Sequence, residues 1–205
     1  MSTRFLLVRH AACSQTESIL LGRTLDPPLD GRGHRQARAL AHFLARERPH
    51  RVLSSPRLRA QETAQIVAGE ARCEWRAAHE LDEMDFGAWS GHSFAELEHD
   101  PTWRHWNTHR SRSRTPAGDD IRCVQTRIAL YLERLRRSCR EATLVLVTHA
   151  EIIRSALLYF RGLPIEDYRY IDIPCASINV LRTDGLRIRV ESERERRATA
   201  AGECA

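Results

Sequence analysis

Two histidines close apolar runs in this chain. FLLVRH (5–10) leads from four apolar residues into Arg9 and His10, and TLVLVTH (143–149) ends on Thr148-His149. A third run, RVLSS (51–55), is followed by an arginine-bearing stretch within SSPRLRAQETA (54–64). A neutral imidazole can attack phosphorus directly, and a guanidinium is a planar fork that matches phosphate oxygens. Brought together, these groups would make a phosphoryl-transfer site. Singly, each has an ordinary explanation as a strand-end histidine or a surface arginine. Their joint appearance at the ends of three such runs carries the weight.

Cys13, three residues past His10, is a rival nucleophile. Cysteine-based phosphatases carry an arginine six positions after the cysteine, around a phosphate cradle. Here Ile19, His79, Ala129, Val145 and Leu181 stand at that spacing from Cys13, Cys73, Cys123, Cys139 and Cys175, and Cys204 has no such position. Cys13 is therefore read as a neighbour of the site.

The elements that would position these groups follow from periodicity. The three short runs, rich in aliphatic and β-branched residues, read as buried strands. Between them, Ala37, Leu40, Ala41 and Leu44 mark one face of a helix over 33–47, and Ile121, Val124, Ile128 and Leu135 one face of a helix over 120–137. EIIRSALLYF (151–160) is a further short helix, stopped by Gly162 and Pro164. ASINVLRTDGLRIRVES (176–192) reads as two strands joined around Asp184-Gly185. Alternating strands and helices imply an α/β domain, a mostly parallel sheet with helices on both faces. In such sheets ligands bind outside the carboxyl ends of the strands, where these groups lie. Residues 84–118, with Trp89, Trp103 and Trp106, break the rhythm and read as a helical and loop insert over one end of the sheet. The expected organisation is one catalytic domain over 1–192 and a flexible tail over 193–205.

Composition narrows the classes. The chain has 205 residues, enough for one domain with a sizeable core. No apolar stretch approaches the roughly 20 residues that span a bilayer, and the apolar run near the N-terminus is too short for a secretory signal. The six cysteines contain no C-x-x-C pair, which argues against a zinc site or disulfide scaffold. The expectation is a cytoplasmic protein with no metal, no organic cofactor and no membrane partner. The net charge of +5 could favour nucleic acid. However, the basic runs HRSRSRT (109–115) and ERERRA (193–198) lack interleaved aromatics and read as solvated loop and tail.

Taken together, the motifs resemble the histidine phosphatase superfamily, in its phosphoglycerate-mutase-like branch. LLVRHA matches its Arg-His-Gly opening with Ala11 for glycine, and LGRTLDPPLDGRGHRQA (21–37) matches its next feature. SSPRLRAQETA, aligned on Ala60 and Thr63-Ala64, makes Arg59 rather than Arg57 the pocket arginine. LDEMDFGAWSG (81–91) points to Glu83, and LVTHAEIIR (146–154) to His149. The resemblance covers roughly residues 4–181. It implies a three-layer α/β/α sandwich and a metal-independent phosphomonoesterase acting on a small phosphorylated metabolite.

In that scheme His10 forms a phosphohistidine, while Arg9, Arg59 and His149 hold the phosphoryl oxygens. Glu83 serves as general acid and base, and Arg23 helps bind substrate; Trp89 packs beneath the lid. A cofactor-dependent phosphoglycerate mutase is the alternative, and a non-catalytic basic binding module is a more distant one. The FGAWSG form of the glutamate motif and the short insert favour hydrolysis. A homodimer is left open. Cys13, Thr16, Glu151 and PAGDD (116–120) depart from the family's usual residues and suggest an altered substrate pocket. Glu151 either adds a negative charge there or only begins the helix.

Overall fold

The computed structural model describes residues 2–191, so the tail expected over 193–205 lies outside the described residues. At its centre β1 (Arg4–Arg9) pairs in parallel with β4 (Thr143–Thr148) and antiparallel with β5 (Ile178–Thr183). The six-stranded sheet has the order β3-β2-β4-β1-β5-β6, with β2 at Arg51–Ser54, β3 at Glu74–Ala77 and β6 at Ile188–Val190. β5 and β6 form the hairpin expected around Asp184-Gly185 and supply the antiparallel edge.

The strict alternation of strand side chains divides β1 between two cores. Leu6 and Val8 pack with Val52, Val145 and Val147 against α1 (Gly31–Arg46) and α2 (Leu58–Ala71). Phe5 and Leu7 face the other way, towards α5 (Ile121–Ser138) and α6 (Ala150–Arg161). This is the three-layer α/β/α sandwich. A strand buried on both faces must be apolar at every position, which is why FLLV announced itself. β3 gave no such signal. It is a mostly exposed edge strand, EWRA, held by its ladder to β2 and by Trp75 Nε1 donating to Ser54 Oγ at 3.0 Å.

Over the carboxyl end of the sheet lie α3 (Phe94–Leu97), α4 (Pro101–Thr108) and two short 3-10 turns, Gly87–Trp89 and Arg110–Arg112. Trp89, Trp103 and Trp106 pack together with ring centroids 5.1–5.6 Å apart, Trp89 meeting Trp103 edge to face, and Phe86 meets Trp106 edge-on. Trp89 also donates to Asp100 at 2.9 Å. Gly87 lets PAGDD close on this unit: at φ +56° its missing Cβ would stand 1.9 Å from the Pro116 carbonyl oxygen. Among the described residues, no helix is long and apolar enough to cross a membrane.

Candidate active site

The carboxyl ends of β1, β2 and β4 bring His10, Ser55 and His149 together, and the first turn of α2 adds Arg59. Buried Arg59 is the hub. Its Nε donates to His10 Nε2 at 3.3 Å, and its Nη2 lies 3.3 Å from His149 Nδ1. The carbonyls of Gly22 and Leu25 take two more hydrogens at 2.9 and 3.1 Å, and Nη1 also lies 3.5 Å from Asp26 Oδ1. The two imidazoles meet edge to face, 5.2 Å between centroids.

His10 is fixed by its own backbone. Its N–H donates to Thr148 O at 2.9 Å, and Ala176 N–H returns to the Arg9 and His10 carbonyls. Its Nδ1 lies 2.8 Å from Ala11 O, so Nδ1 carries the proton and Nε2 keeps its lone pair. Burial first, then the Arg59 charge, hold this imidazole well below its usual value of 6.5, so it is neutral near pH 7. Ala11, standing for the family's glycine, is not among the described non-glycine residues with positive φ. Its N–H donates to Thr63 Oγ1 at 3.1 Å and its methyl is buried with Leu29 and Ala37, so the turn accepts a Cβ without distortion.

Behind His149 runs a polar chain that the sequence reading did not assign. His149 Nε2 lies 2.8 Å from Ser55 Oγ, which donates to Asp82 Oδ1 at 3.3 Å. Asp82 in turn holds Arg57 by two hydrogen bonds, at 2.8 and 3.1 Å. With Ser55 donating onward, His149 carries its proton on Nε2 and turns an Nδ1 lone pair towards Arg59. Arg57 is thereby committed to Asp82, and Arg59 is the arginine against the imidazoles.

Glu83 follows Asp82 on the same stretch, anchored where Thr148 Oγ1 donates to Leu81 O at 2.6 Å. Its carboxylate lies 3.6 Å from His149 Nδ1 and accepts from Met84 N–H at 2.8 Å. Burial, the largest effect, raises its pKa to about 7 against the opposing pull of Arg59.

A cleft of about 430 Å³ opens over Arg9, His10, Arg59 and Glu83. Arg9 Nη1 donates to Ile173 O at 2.6 Å, while its buried Nε has no acceptor among the described residues. Arg23, expected to bind substrate, is turned elsewhere. Its Nε donates to the Glu83 carbonyl at 2.6 Å and its Nη2 to Asp119 at 2.8 Å, and it is not among the cleft-lining residues. It braces the glutamate segment from behind. Cys13 is likewise outside the cleft wall, tied through Sγ to Thr16 Oγ1 at 2.8 Å, with burial pushing its thiol up. A protonated thiol held this way is a poor nucleophile.

The far side of the cleft corrects the reading of HRSRSRT as solvated. Arg112 and Arg114 are exposed, but Arg110 is buried, its guanidinium 4.0 Å from the Trp106 ring centroid and 3.3 Å from that of Tyr168. Its aromatic partners lie outside the basic run, so no local pattern marked it. Arg110 and Arg154 each bind one oxygen of Glu151, at 2.6 and 2.7 Å. Burial pushes the Glu151 carboxyl up, but these two guanidiniums outweigh it and leave the net shift downward. Glu151 therefore both begins α6 and places a charge on the cleft wall. Among the described residues, no group of three or more His, Cys, Asp or Glu side chains is placed to hold a metal ion.

A mostly parallel α/β/α sheet that gathers two imidazoles, a buried arginine and a raised carboxyl at its strand ends defines a phosphoryl-transfer enzyme. The chain belongs to the histidine phosphatase superfamily (branch 1), whose sequence profile it matches over residues 5–195, and it is a phosphomonoesterase. Phosphoserine phosphatase 1 of Hydrogenobacter thermophilus is 29% identical over 189 residues, spanning 90% of this chain and 88% of that protein. The 6-phosphofructo-2-kinase/fructose-2,6-bisphosphatase of Caenorhabditis elegans is 33% identical over 178 residues; the match covers 84% of this chain but only 37% of that longer protein. Among solved structures, Bacillus stearothermophilus YhfR shares the fold with a TM-score of 0.86 at 24% identity, covering 93% of this chain and 96% of that one. A mutant of Entamoeba histolytica phosphoserine phosphatase, in complex with phosphoserine, aligns with a TM-score of 0.83 at 25% identity, covering 93% and 95%.

Proposed function

We propose that this phosphatase hydrolyses small phosphorylated metabolites through a phosphohistidine on His10. One observation supports this above the others: His10 spends its Nδ1 proton on Ala11 O and keeps Nε2 unprotonated beside Arg59, in the cleft that also holds Glu83.

In the first half-reaction the Nε2 lone pair attacks phosphorus. The bond to the ester oxygen breaks as the new P–N bond forms, and the leaving alcohol takes the proton of the Glu83 carboxyl. Arg59 exchanges its contact with the imidazole nitrogen for the phosphoryl oxygens. Arg9 joins it, and so does His149 once its Nδ1 has taken the proton of a phosphate ester bound as the monoanion. The phosphoryl charge then offsets the burial that keeps the free imidazole neutral, and the proton returns to the inorganic phosphate that leaves. The charge that develops on those oxygens then meets donors already held in place. In the second half-reaction the Glu83 carboxylate accepts a proton from water, whose oxygen attacks phosphorus. The P–N bond breaks, inorganic phosphate leaves, and His10 returns to its neutral form. A carboxyl poised near neutrality can serve both proton transfers. Phosphate leaving the cleft restores the Arg59–His10 contact.

The test is to quench turnover of an aryl phosphate bearing labelled phosphorus and analyse the protein. The expected result is an acid-labile, base-stable label at His10, with turnover insensitive to EDTA. Retained turnover in a folded His10→Ala variant would overturn the assignment. Release of inorganic phosphate from 3-phosphoglycerate, rather than its isomerisation, separates the phosphatase from the mutase reading.

A further inference from the structure

The walls of the cleft do not balance in charge. Arg9, Arg59, Arg110 and Arg154 face Glu17, Glu83 and Glu151 around it. Glu17 is largely exposed and paired with Arg32 at 2.9 Å, which leaves it little influence inside. At the phosphoryl end, Arg9, Arg59 and the protonated His149, less the Asp26 carboxylate 3.5 Å from Arg59, match the two charges of a phosphate ester while Glu83 holds its proton. At the far end two guanidiniums share the single carboxylate of Glu151, leaving one positive charge without a counterpart.

That far end is rigid and built. Arg110 is clamped between Trp106 and Tyr168, with Nη2 donating to Asn107 Oδ1 at 2.8 Å. Arg154 is held through Nε to Ile171 O at 2.9 Å and through Nη1 to Glu151. Its Nη2 has no acceptor among the described residues, and its side chain is 23% exposed where it lines the cleft. Glu151 stands two residues after His149, so the second charged end lies close to the first. Leu20, Phe86, Phe94 and Trp103 supply an apolar wall to the same cleft.

We infer that the cleft selects short phosphate monoesters whose alcohol carries one carboxylate, bound by Arg154 and Arg110 beside Glu151. This rests on the phosphatase reading above. Glu151 sets the selectivity by limiting the free charge to one. A neutral group would leave a guanidinium unpaired, and a second phosphate dianion would be repelled by the Glu151 carboxylate. Arg154 and Arg110 are specificity residues here, acting on the part of the substrate that does not react.

The experiment compares kcat/KM for the phosphate ester of a short hydroxy acid, its isosteric carboxamide, and the bisphosphate of the matching diol. Wild-type protein is expected to prefer the carboxylate by about tenfold or more over both, as a charge-assisted hydrogen bond would supply. Arg154→Met is expected to collapse the carboxylate-to-carboxamide ratio through KM, and Arg154→Lys to restore part of it. Glu151→Gln should move the preference towards the bisphosphate by about tenfold, since it frees a second positive charge. A wild-type carboxylate-to-carboxamide ratio near one, or a wild-type preference for the bisphosphate, overturns the inference. Because the wild-type series needs no variant, a substitution that prevents folding does not remove the test. Turnover of p-nitrophenyl phosphate with a ratio near one defeats only this inference, whereas no turnover of any ester defeats the phosphatase reading beneath it.

Discussion

Arg59 Nε donates to His10 Nε2 at 3.3 Å, so the guanidinium already stands at the lone pair with which the imidazole would attack phosphorus. With burial as the main reason that the nucleophile is neutral, this arginine adds to that effect and aligns it before substrate arrives, then becomes a donor to the group being transferred. Arg59→Lys keeps the charge but loses the planar fork that reaches both imidazoles and the Gly22 and Leu25 carbonyls. The expected loss in kcat is about a hundredfold or more, the scale of removing one preorganised donor. Steady-state kinetics on an aryl phosphate checks it, and wild-type kcat in a folded Arg59→Lys would sink the role given to this residue.

Glu83 should write its pKa of about 7 into the pH profile. As the proton donor of the first step it must be protonated, so kcat/KM is expected to fall as pH rises through about 7. Glu83→Gln should remove that limb. It should also harm alkyl phosphates far more than p-nitrophenyl phosphate, whose leaving group needs little protonation. Equal losses on both esters would mean that Glu83 does not protonate the leaving oxygen.

The same carboxyl makes folding stability depend on pH. Its pKa is raised from 4.5 to about 7 on folding, so the native state holds a proton that the unfolded chain has released. Its contribution is complete below about 4.5 and is lost as pH rises through about 7. Denaturant midpoints of wild-type protein relative to Glu83→Gln should therefore fall across that window. A flat difference would show that Glu83 is not perturbed in the fold.

How much of this could be read in advance depended on whether a residue's reason lay beside it in the chain. His10 and His149 close strands buried on both faces, and such strands are legible as unbroken apolar runs. Ala37, Leu40, Ala41 and Leu44 line the buried face of α1 as their spacing required. Glu83 was different, because its neighbours Glu80, Asp82 and Asp85 make an ordinary charge run, and only the motif resemblance singled it out. Arg110 lay hidden in a basic stretch because Tyr168, the ring that covers it, arrives from far downstream. Arg23 was legible as a motif residue but not in its direction: Asp119, which turns it away from the cleft, belongs to PAGDD, where this chain departs from the family. Ser55, Asp82 and Arg57 form a relay only once β2 and the Glu83 stretch lie side by side.

Cys13 sits beside the site without a part in it. Its thiol contacts Thr16 Oγ1, and burial raises it away from the thiolate. Cys13→Ser is expected to keep activity within a few-fold of wild type, with a modest loss of stability of about 1 kcal/mol from exchanging a small buried hydrophobe for a hydroxyl. Kinetics paired with a thermal melt measures both. Complete loss of turnover in a folded variant would move the nucleophile assignment from His10 to Cys13.

The loop that follows His10 depends on how closely α1 approaches it. Asp30 caps the helix by accepting from Gly33 N–H at 2.7 Å, and Gln36 Oε1 accepts from Ala12 N–H at 2.9 Å. That approach leaves no room at Gly33: a Cβ there would stand 1.8 Å from the Ala12 carbonyl oxygen, a backbone atom that cannot swing aside. At Gly31, in the same first turn, the nearest atom is the flexible end of Arg35 at 3.8 Å. Gly33→Ala must therefore push α1 off residues 11–13 and displace the turn that orients His10. The expected cost is about 2 kcal/mol or more, on the scale of an overpacked core site, with a fall in kcat. Gly31→Ala should leave kcat unchanged and add a few tenths of a kcal/mol or more, since alanine loses less chain entropy than glycine in a helix. Thermal melts and kinetics of the two variants side by side provide the measurement, and equal behaviour of the pair would show that the helix does not press on this loop.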